Sequence, residues 1–148
     1  MIWLLISLQT VFAQNYDSLT MCQTGREAVR KICVDEMDQI TIPPKVGEQG
    51  YAEAKKGVTQ LKGLRLGLGS SDTYCREAYR KALEHCHDAE NEAARQMDDD
   101  GSKKVRGTRR EIEKDFKAGM QKLEDSLREI DRAIKTLESI IDHSAAGS

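Results

Sequence analysis

The four cysteines fall into two pairs with identical spacing, and this spacing is the strongest constraint on the fold. Cys22 and Cys33 are eleven residues apart, and so are Cys75 and Cys86. In an α-helix, eleven residues return to nearly the same face about 16 Å further along the axis. A disulfide needs Cα atoms within about 7 Å, so two helical cysteines at this spacing cannot bond to each other. The spacing therefore predicts two helices that face each other through matched pairs of cysteines.

Two connectivities satisfy this arrangement, and the relative direction of the helices decides between them. Antiparallel helices would join Cys22 to Cys86 and would join Cys33 to Cys75. Parallel helices would instead join Cys22 to Cys75 and would join Cys33 to Cys86. The 41 residues between Cys33 and Cys75 allow either direction, and we favour the antiparallel one. Each bridge should stabilise the fold by about 2–4 kcal/mol.

Residues 1–13, MIWLLISLQTVFA, are far more apolar than the chain that follows them. Val11 and Ala13 place small or medium side chains at the third-last and last positions before Gln14, as a signal-peptidase site requires. We therefore expect residues 1–13 to be a secretory signal peptide and the mature protein to be extracellular, where disulfides persist. The run is shorter than the roughly 20 apolar residues of a membrane helix, so we expect no membrane span.

The mature protein contains few aromatic residues, because Trp3 and Phe12 leave with the signal and only one Phe and four Tyr remain. A core built from Leu, Ile, Val, Met and Ala suits the packing of helices on helices. Charged residues make up 32% of the chain, with a net charge of −2. This near balance argues against a nucleic-acid-binding protein, which would carry a marked excess of positive charge.

Apolar residues recur at three- and four-residue intervals in four segments, which predict four helices. These segments span residues 15–42, 51–66, about 72–97 and about 105–142. Pro43 and Pro44 end the first helix because neither can continue its hydrogen bonds. Residues 67–71 and 98–102 are expected to be turns. The sequence therefore predicts that residues 14–148 form one all-α domain, a disulfide-stapled bundle of about four helices.

The last predicted helix carries apolar residues that alternate steps of four and three over nearly four heptads. They are Phe116, Met120, Leu123, Leu127, Ile130, Ile134, Leu137 and Ile141. Such a seam is typical of a long helix that faces the core of a bundle, which is the interpretation we favour. It is also typical of a coiled coil formed by a homodimer or with a partner, and the sequence leaves the oligomeric state open.

No group of residues has the spacing of a catalytic, cofactor-binding or metal site. His85 and His87 flank a cysteine and point in different directions on a helix, so they cannot share one metal ion. The three aspartates at 98–100 lack the Gly and Glu that an EF-hand loop requires at its sixth and twelfth positions. All four cysteines are assigned to disulfides, so none remains as a nucleophile. We therefore expect a protein that is not an enzyme and that uses no cofactor.

Basic residues concentrate just before and within the start of the last predicted helix. They are Lys103, Lys104, Arg106, Arg109 and Arg110. Such a patch can bind sulfated glycans or acidic protein surfaces. The alternative is a solvated segment between helices that balances the charge of the nearby aspartates.

The apolar leader MIWLLISLQTVFA, a mature chain of about 135 residues, the four cysteines and the helical periodicity together resemble one family. These features are similar to those of the small salivary proteins of anopheline mosquitoes typified by anophensin and albicin. The resemblance covers the whole chain and implies a helical inhibitor that is delivered into host blood during feeding. It further implies a plasma protein as the partner, either the convertase of the alternative complement pathway or the factors of the kallikrein–kinin contact system. The resemblance identifies no contact residue.

Two other functions stay open beside this one. The chain could be a secreted helical carrier of a small apolar ligand, or a secreted structural antigen. A carrier usually lines its pocket with aromatic side chains, and the mature chain has few of them. We therefore favour a non-enzymatic interaction protein whose rigid helical surface occupies an assembly site on a plasma protein.

Overall fold

The computed structural model describes residues 17–40, 42 and 50–146, and these residues form three long helices and no strand. Helix α1 comprises an α-helical part, Asp17–Val29, a π-helical part, Arg30–Asp35, and a last α-helical turn, Glu36–Asp38. Helix α2 is Tyr51–Arg95 and helix α3 is Asp99–Ala146. The prediction of an all-α protein with disulfide bonds is confirmed. The predicted signal peptide at 1–13 and the proline pair at 43–44 lie outside the described residues.

The prediction of about four helices is wrong, because the second and third predicted helices are one continuous helix, α2. The expected turn at 67–71 lies in the interior of this helix. Leu68 is only 1% exposed and packs into the core. Burying a leucine side chain stabilises by about 1.5–3 kcal/mol, which is enough to offset the roughly 2 kcal/mol that Gly67 and Gly69 together cost in a helix. The hydroxyls of Ser71 and Thr73 also donate hydrogen bonds to the carbonyls four residues earlier.

A tight turn at residues 96–98 joins α2 to α3. Met97 has a φ of 53°, and the Asp98 amide donates a 2.8 Å hydrogen bond to the Ala93 carbonyl, which ends α2. The Asp98 side chain then accepts a 2.9 Å hydrogen bond from the Gly101 amide, as an N-cap does. Because of this cap, α3 begins at Asp99 rather than at about 105. Part of the segment that was expected to be a turn at 98–102 is therefore the first turn of α3.

Helix α2 runs antiparallel to both of its neighbours. Ion pairs join Arg109 of α3 to Glu90 of α2 at 2.7 Å, and Arg65 of α2 to Asp131 of α3 at 2.9 Å. The residue number therefore rises along one helix as it falls along the other. Residues of α1 contact α2 at Cys75 and Cys86 in reverse order, and they contact α3 at Glu111 and Gly119 in the same order. Helix α1 therefore runs parallel to α3 and packs on the second half of α2 and the first half of α3.

The core runs along the seam between the three helices, and four residues of the predicted heptad pattern are buried in it. They are Leu123, Ile130, Ile134 and Leu137. Phe116, Met120, Leu127 and Ile141 are half-buried and pack against the same cluster. The seam therefore belongs to the core of a single chain, which agrees with the interpretation that we favoured from the sequence.

Candidate functional site

Two disulfides fix α1 against α2 at two levels. Cys22 bonds to Cys86, with Cα atoms 4.5 Å apart, and Cys33 bonds to Cys75, with Cα atoms 5.0 Å apart. These are the pairs that antiparallel helices require. All four cysteines are fully buried, and no cysteine of the described residues is free. The part of the α1–α2 surface that lies between the two bridges is therefore fixed by a disulfide at each of its ends.

An apolar groove of about 420 Å³ runs along this part of the α1–α2 seam. Its α1 wall contains Met21, Ala28 and Ile32, and its α2 wall contains Tyr74 and Ala78. Met21 is 46% exposed and Tyr74 is 63% exposed, so the groove is open to solvent. No residue of α3 lines it, so it lies on the face of the α1–α2 pair that is turned away from α3.

Small residues create the close contact beside the groove. A β-carbon added to Gly25 of α1 would lie 2.8 Å from the β-carbon of Ala82 of α2. The helices therefore approach each other there, and the larger side chains on either side form the walls. Polar side chains follow the rim of the groove, and they are Thr24, Glu77, Lys81 and His85. An apolar floor with a polar rim is the usual composition of a protein-binding surface.

The predicted basic patch does not form one cluster. Lys103, Lys104, Arg106 and Arg110 are exposed on α3, whereas Arg109 is only half-exposed. Arg109 turns toward α2 and donates a 2.7 Å hydrogen bond to a carboxylate oxygen of Glu90. The charge of Arg109 is therefore used within the fold.

Helix geometry instead places five exposed cations of α3 in one row along the helix. We call Lys103, Arg106, Arg110, Lys114 and Lys117 the basic row. All five residues are exposed and recur at steps of three, four, four and three. Such steps keep side chains on one face of a helix. Lys114 and Lys117 lie outside the predicted basic patch along the chain, and only the helical spacing brings them onto the same face as Lys103, Arg106 and Arg110.

Other charged residues lie beside the row. Glu111 pairs with Arg26 of α1 and so faces the opposite flank of α3 from Arg109. Glu113 lies on the α2 side, where its charge helps to raise the pKa of Tyr79. The larger cause of that raised pKa is the partial burial of the tyrosine. Tyr79 stacks on Phe116, with ring centroids 3.9 Å apart, at the flank of the row.

The histidines at 85 and 87 and the aspartates at 98–100 do not form a common site. His85 is half-buried at the groove rim, and His87 is exposed. Asp98 caps α3, while Asp99 and Asp100 begin the helix. Within the ranges 17–40 and 50–146, no three His, Cys, Asp or Glu residues are grouped so that they could hold a metal ion.

Comparisons with known proteins assign no family to the chain. No family model, no curated protein and no solved structure matches it. Among the helices that the structure describes, none is long and apolar enough to cross a membrane.

Proposed function

We propose that this chain is a secreted, non-enzymatic interaction protein that binds a protein partner in the groove between α1 and α2. The observation that carries the proposal is the pair of exposed apolar side chains, Met21 and Tyr74, on opposite walls of a groove with a polar rim. Methionine and tyrosine are enriched in protein interfaces. An amphipathic helical segment of a partner fits such a groove, because its apolar face can be buried while its polar face stays solvated.

The disulfides support this proposal through entropy. Cys22–Cys86 and Cys33–Cys75 hold the two walls at a set separation before any partner arrives. A surface that is ordered in advance loses little conformational freedom on binding, and this favours affinity. Inhibition then needs no chemistry, because occupying an assembly site on the partner is enough to block the assembly.

The partner that we propose follows from the resemblance of the sequence to the anopheline salivary proteins. It is a component of a host plasma cascade, either the alternative complement pathway or the kallikrein–kinin contact system. The predicted secretion into blood and the two disulfides suit a protein that acts there.

A direct binding measurement tests this proposal. Cells that express the full sequence supply the secreted product, and surface plasmon resonance measures its binding to purified convertase components and contact factors. We expect a nanomolar Kd for one of them, with a matching delay in hemolysis or in clotting time. If no component binds and both assays are unchanged, the proposed partner class is wrong.

A pair of variants locates the contact. Tyr74→Ser removes an exposed aromatic residue from the groove, and we expect it to weaken binding about tenfold or more, as truncation of an interface anchor does. Leu66→Ser is the matched control, because Leu66 is 77% exposed on the same helix and does not line the groove. Equal loss in both variants would show that the groove is not the binding site.

The groove also supports a second candidate, a carrier of a small apolar ligand. Its volume of about 420 Å³ lies within the range of ligand sites, about 300–1,000 Å³. Ligand sites, however, enclose about 70–90% of the ligand surface, and the exposure of Met21 and Tyr74 leaves this groove open. Mass spectrometry of the native secreted protein separates the two functions. A lipid or amphiphile that co-purifies with the wild type and is lost from Tyr74→Ser would favour the carrier.

A further inference from the structure

We propose that the basic row of α3 is a second binding surface, separate from the groove, and that it binds a linear sulfated glycan such as heparin. The row consists of Lys103, Arg106, Arg110, Lys114 and Lys117, and from first to last it extends about 21 Å along the helix axis. All five side chains are exposed, and they project from the side of α3 that is opposite its core-facing residues.

The charges of the row are not neutralised within the protein. Eight other cations form ion pairs, among them Arg26, Arg65 and Arg109. None of the five row residues has an ion-pair partner in the part of the chain that the structure describes. Their side chains are therefore available to an external anion.

Positive charge is concentrated on this part of an otherwise acidic chain. Residues 103–117 contain seven Lys and Arg against three Asp and Glu, whereas the whole chain has a net charge of −2. At physiological salt, charges act over about 8 Å, so the local excess matters more to a ligand than the net charge of the molecule. Glu113 at the flank of the row and Asp99 one turn before it reduce the attraction but do not interrupt the row.

The composition of the row favours a linear polyanion over an acidic protein surface. Protein interfaces need an apolar centre, and lysine is depleted from them. The positions beside the row on the outward face carry no large apolar side chain, since Gly107 lies next to Arg106 and Glu113 lies next to Lys114. The row is also a convex ridge, so it cannot enclose a small anion, and only a ligand that follows the helix for several turns can contact all five cations.

Sulfated glycans suit the row better than nucleic acids. Proteins that bind single strands stack the bases on exposed aromatic side chains, and the basic row contains none. Sulfate groups along a flexible sugar chain need only cations at regular intervals. Because no α3 residue lines the groove, a glycan on the row and a protein in the groove can bind at the same time. Glycan binding would then keep the protein at surfaces that carry such chains.

The test compares two triple variants that change the net charge equally. Arg106→Gln, Arg110→Gln and Lys114→Gln together remove the centre of the row. Lys56→Gln, Lys62→Gln and Lys135→Gln together are the control, because these lysines are exposed on α2 and α3, outside the row, and have no ion pair among the described residues. Glutamine supports helices about as well as lysine and arginine do, so both variants should fold, and circular dichroism checks this.

The readout is heparin chromatography of the secreted protein in a salt gradient. We expect the wild type and the control to elute above about 0.15 M salt, the physiological ionic strength. The row variant should elute below that concentration. A wild type that passes through at physiological salt would overturn the proposal, and so would equal shifts of the two variants. Competition with duplex DNA gives a further test, since displacement by DNA as effective as that by heparin would overturn the assignment of the row to a sulfated glycan. The groove variant Tyr74→Ser should elute with the wild type, so the failure of one proposal is distinguishable from the failure of the other.

Discussion

Gly119 of α3 lies directly against Cys33 of α1. A β-carbon at position 119 would come within 2.9 Å of the Cys33 β-carbon and closer still to the Cys33 carbonyl oxygen. Cys33 belongs to the π-helical part of α1 and also forms the bridge to α2. All three helices therefore meet at this point, and the backbone of α3 can reach it only because the residue there has no side chain.

The first prediction concerns this contact. Gly119→Ala should lower the free energy of unfolding by about 1–3 kcal/mol, because the added methyl group overpacks a site whose neighbour is backbone. Gly107→Ala is the control, since Gly107 is in the same helix with no atom within 4 Å of its added β-carbon. Gly107→Ala should raise the free energy of unfolding by about 0.5–1 kcal/mol. Urea unfolding measures both, and equal effects of the same sign would contradict the close contact.

The second prediction concerns the turn between α2 and α3. Met97 has a positive φ and is 89% exposed, so it contributes strain without burying its side chain. Met97→Gly should raise the free energy of unfolding by about 0.5–1 kcal/mol, because glycine adopts this conformation without steric cost. Ala94→Gly, in the last right-handed turn of α2, should lower it by a similar amount. Thermal unfolding tests the pair, and a loss of stability in Met97→Gly would show that the turn is not as described.

The third prediction follows from the raised pKa of Tyr79. Burial, with a smaller contribution from Glu113, raises this pKa above the ordinary value of about 10, so the folded state disfavours the tyrosinate. The stability that Tyr79 contributes is complete below pH 10 and is lost as the pH rises through the folded-state pKa. Glu113→Gln should lower the pKa of Tyr79. The ultraviolet absorbance of tyrosinate measures this pKa in the wild type and in Glu113→Gln, and Tyr79→Phe identifies the part of the titration that belongs to Tyr79. An unchanged titration in Glu113→Gln would contradict the role of that carboxylate.

The fourth prediction concerns the disulfide pairing. Peptide mapping of the purified protein without reduction should recover Cys22 linked to Cys86 and Cys33 linked to Cys75. Links that join Cys22 to Cys75 would require parallel helices and would contradict the arrangement of α1 and α2. The same map should contain no free thiol among these four residues, since each is buried in a bridge.

Cysteine spacing and helix geometry are both local quantities, so the sequence predicts that the two cysteine pairs bond across two facing helices. The choice between the two connectivities depends on the relative direction of the helices, which is a tertiary property and which the structure shows to be antiparallel. The sequence does not predict the number of helices, because α2 passes through residues 67–71 only with the help of tertiary packing. Glycine and serine there indicate a turn when only propensity is considered. The burial of Leu68 against the rest of the fold favours a continuous helix instead. No local sequence pattern predicts this burial.

The two candidate surfaces, the basic row and the groove, were likewise predictable from the sequence only in part. Three residues of the predicted basic patch lie in the basic row, and the remaining two row residues follow from helical spacing alone. The ion pair of Arg109 with Glu90 was not predictable, because it depends on how α2 and α3 align. The groove was not predicted either, since its walls come from two helices and its small residues, such as Gly25 and Ala82, carry no recognisable motif.

The last prediction tests whether α2 is continuous. Gly67 and Gly69 have no positive φ, and an added β-carbon at either position meets no atom within 4 Å. In a continuous helix, Gly67→Ala with Gly69→Ala should raise the free energy of unfolding by about 0.5–1 kcal/mol per site, because alanine restricts the unfolded chain and favours the helix. In a turn that needs left-handed glycine, the same double variant would lose stability. Urea unfolding distinguishes the two signs, and Leu68→Ala, which should cost about 2–5 kcal/mol, shows independently that this segment is anchored in the core.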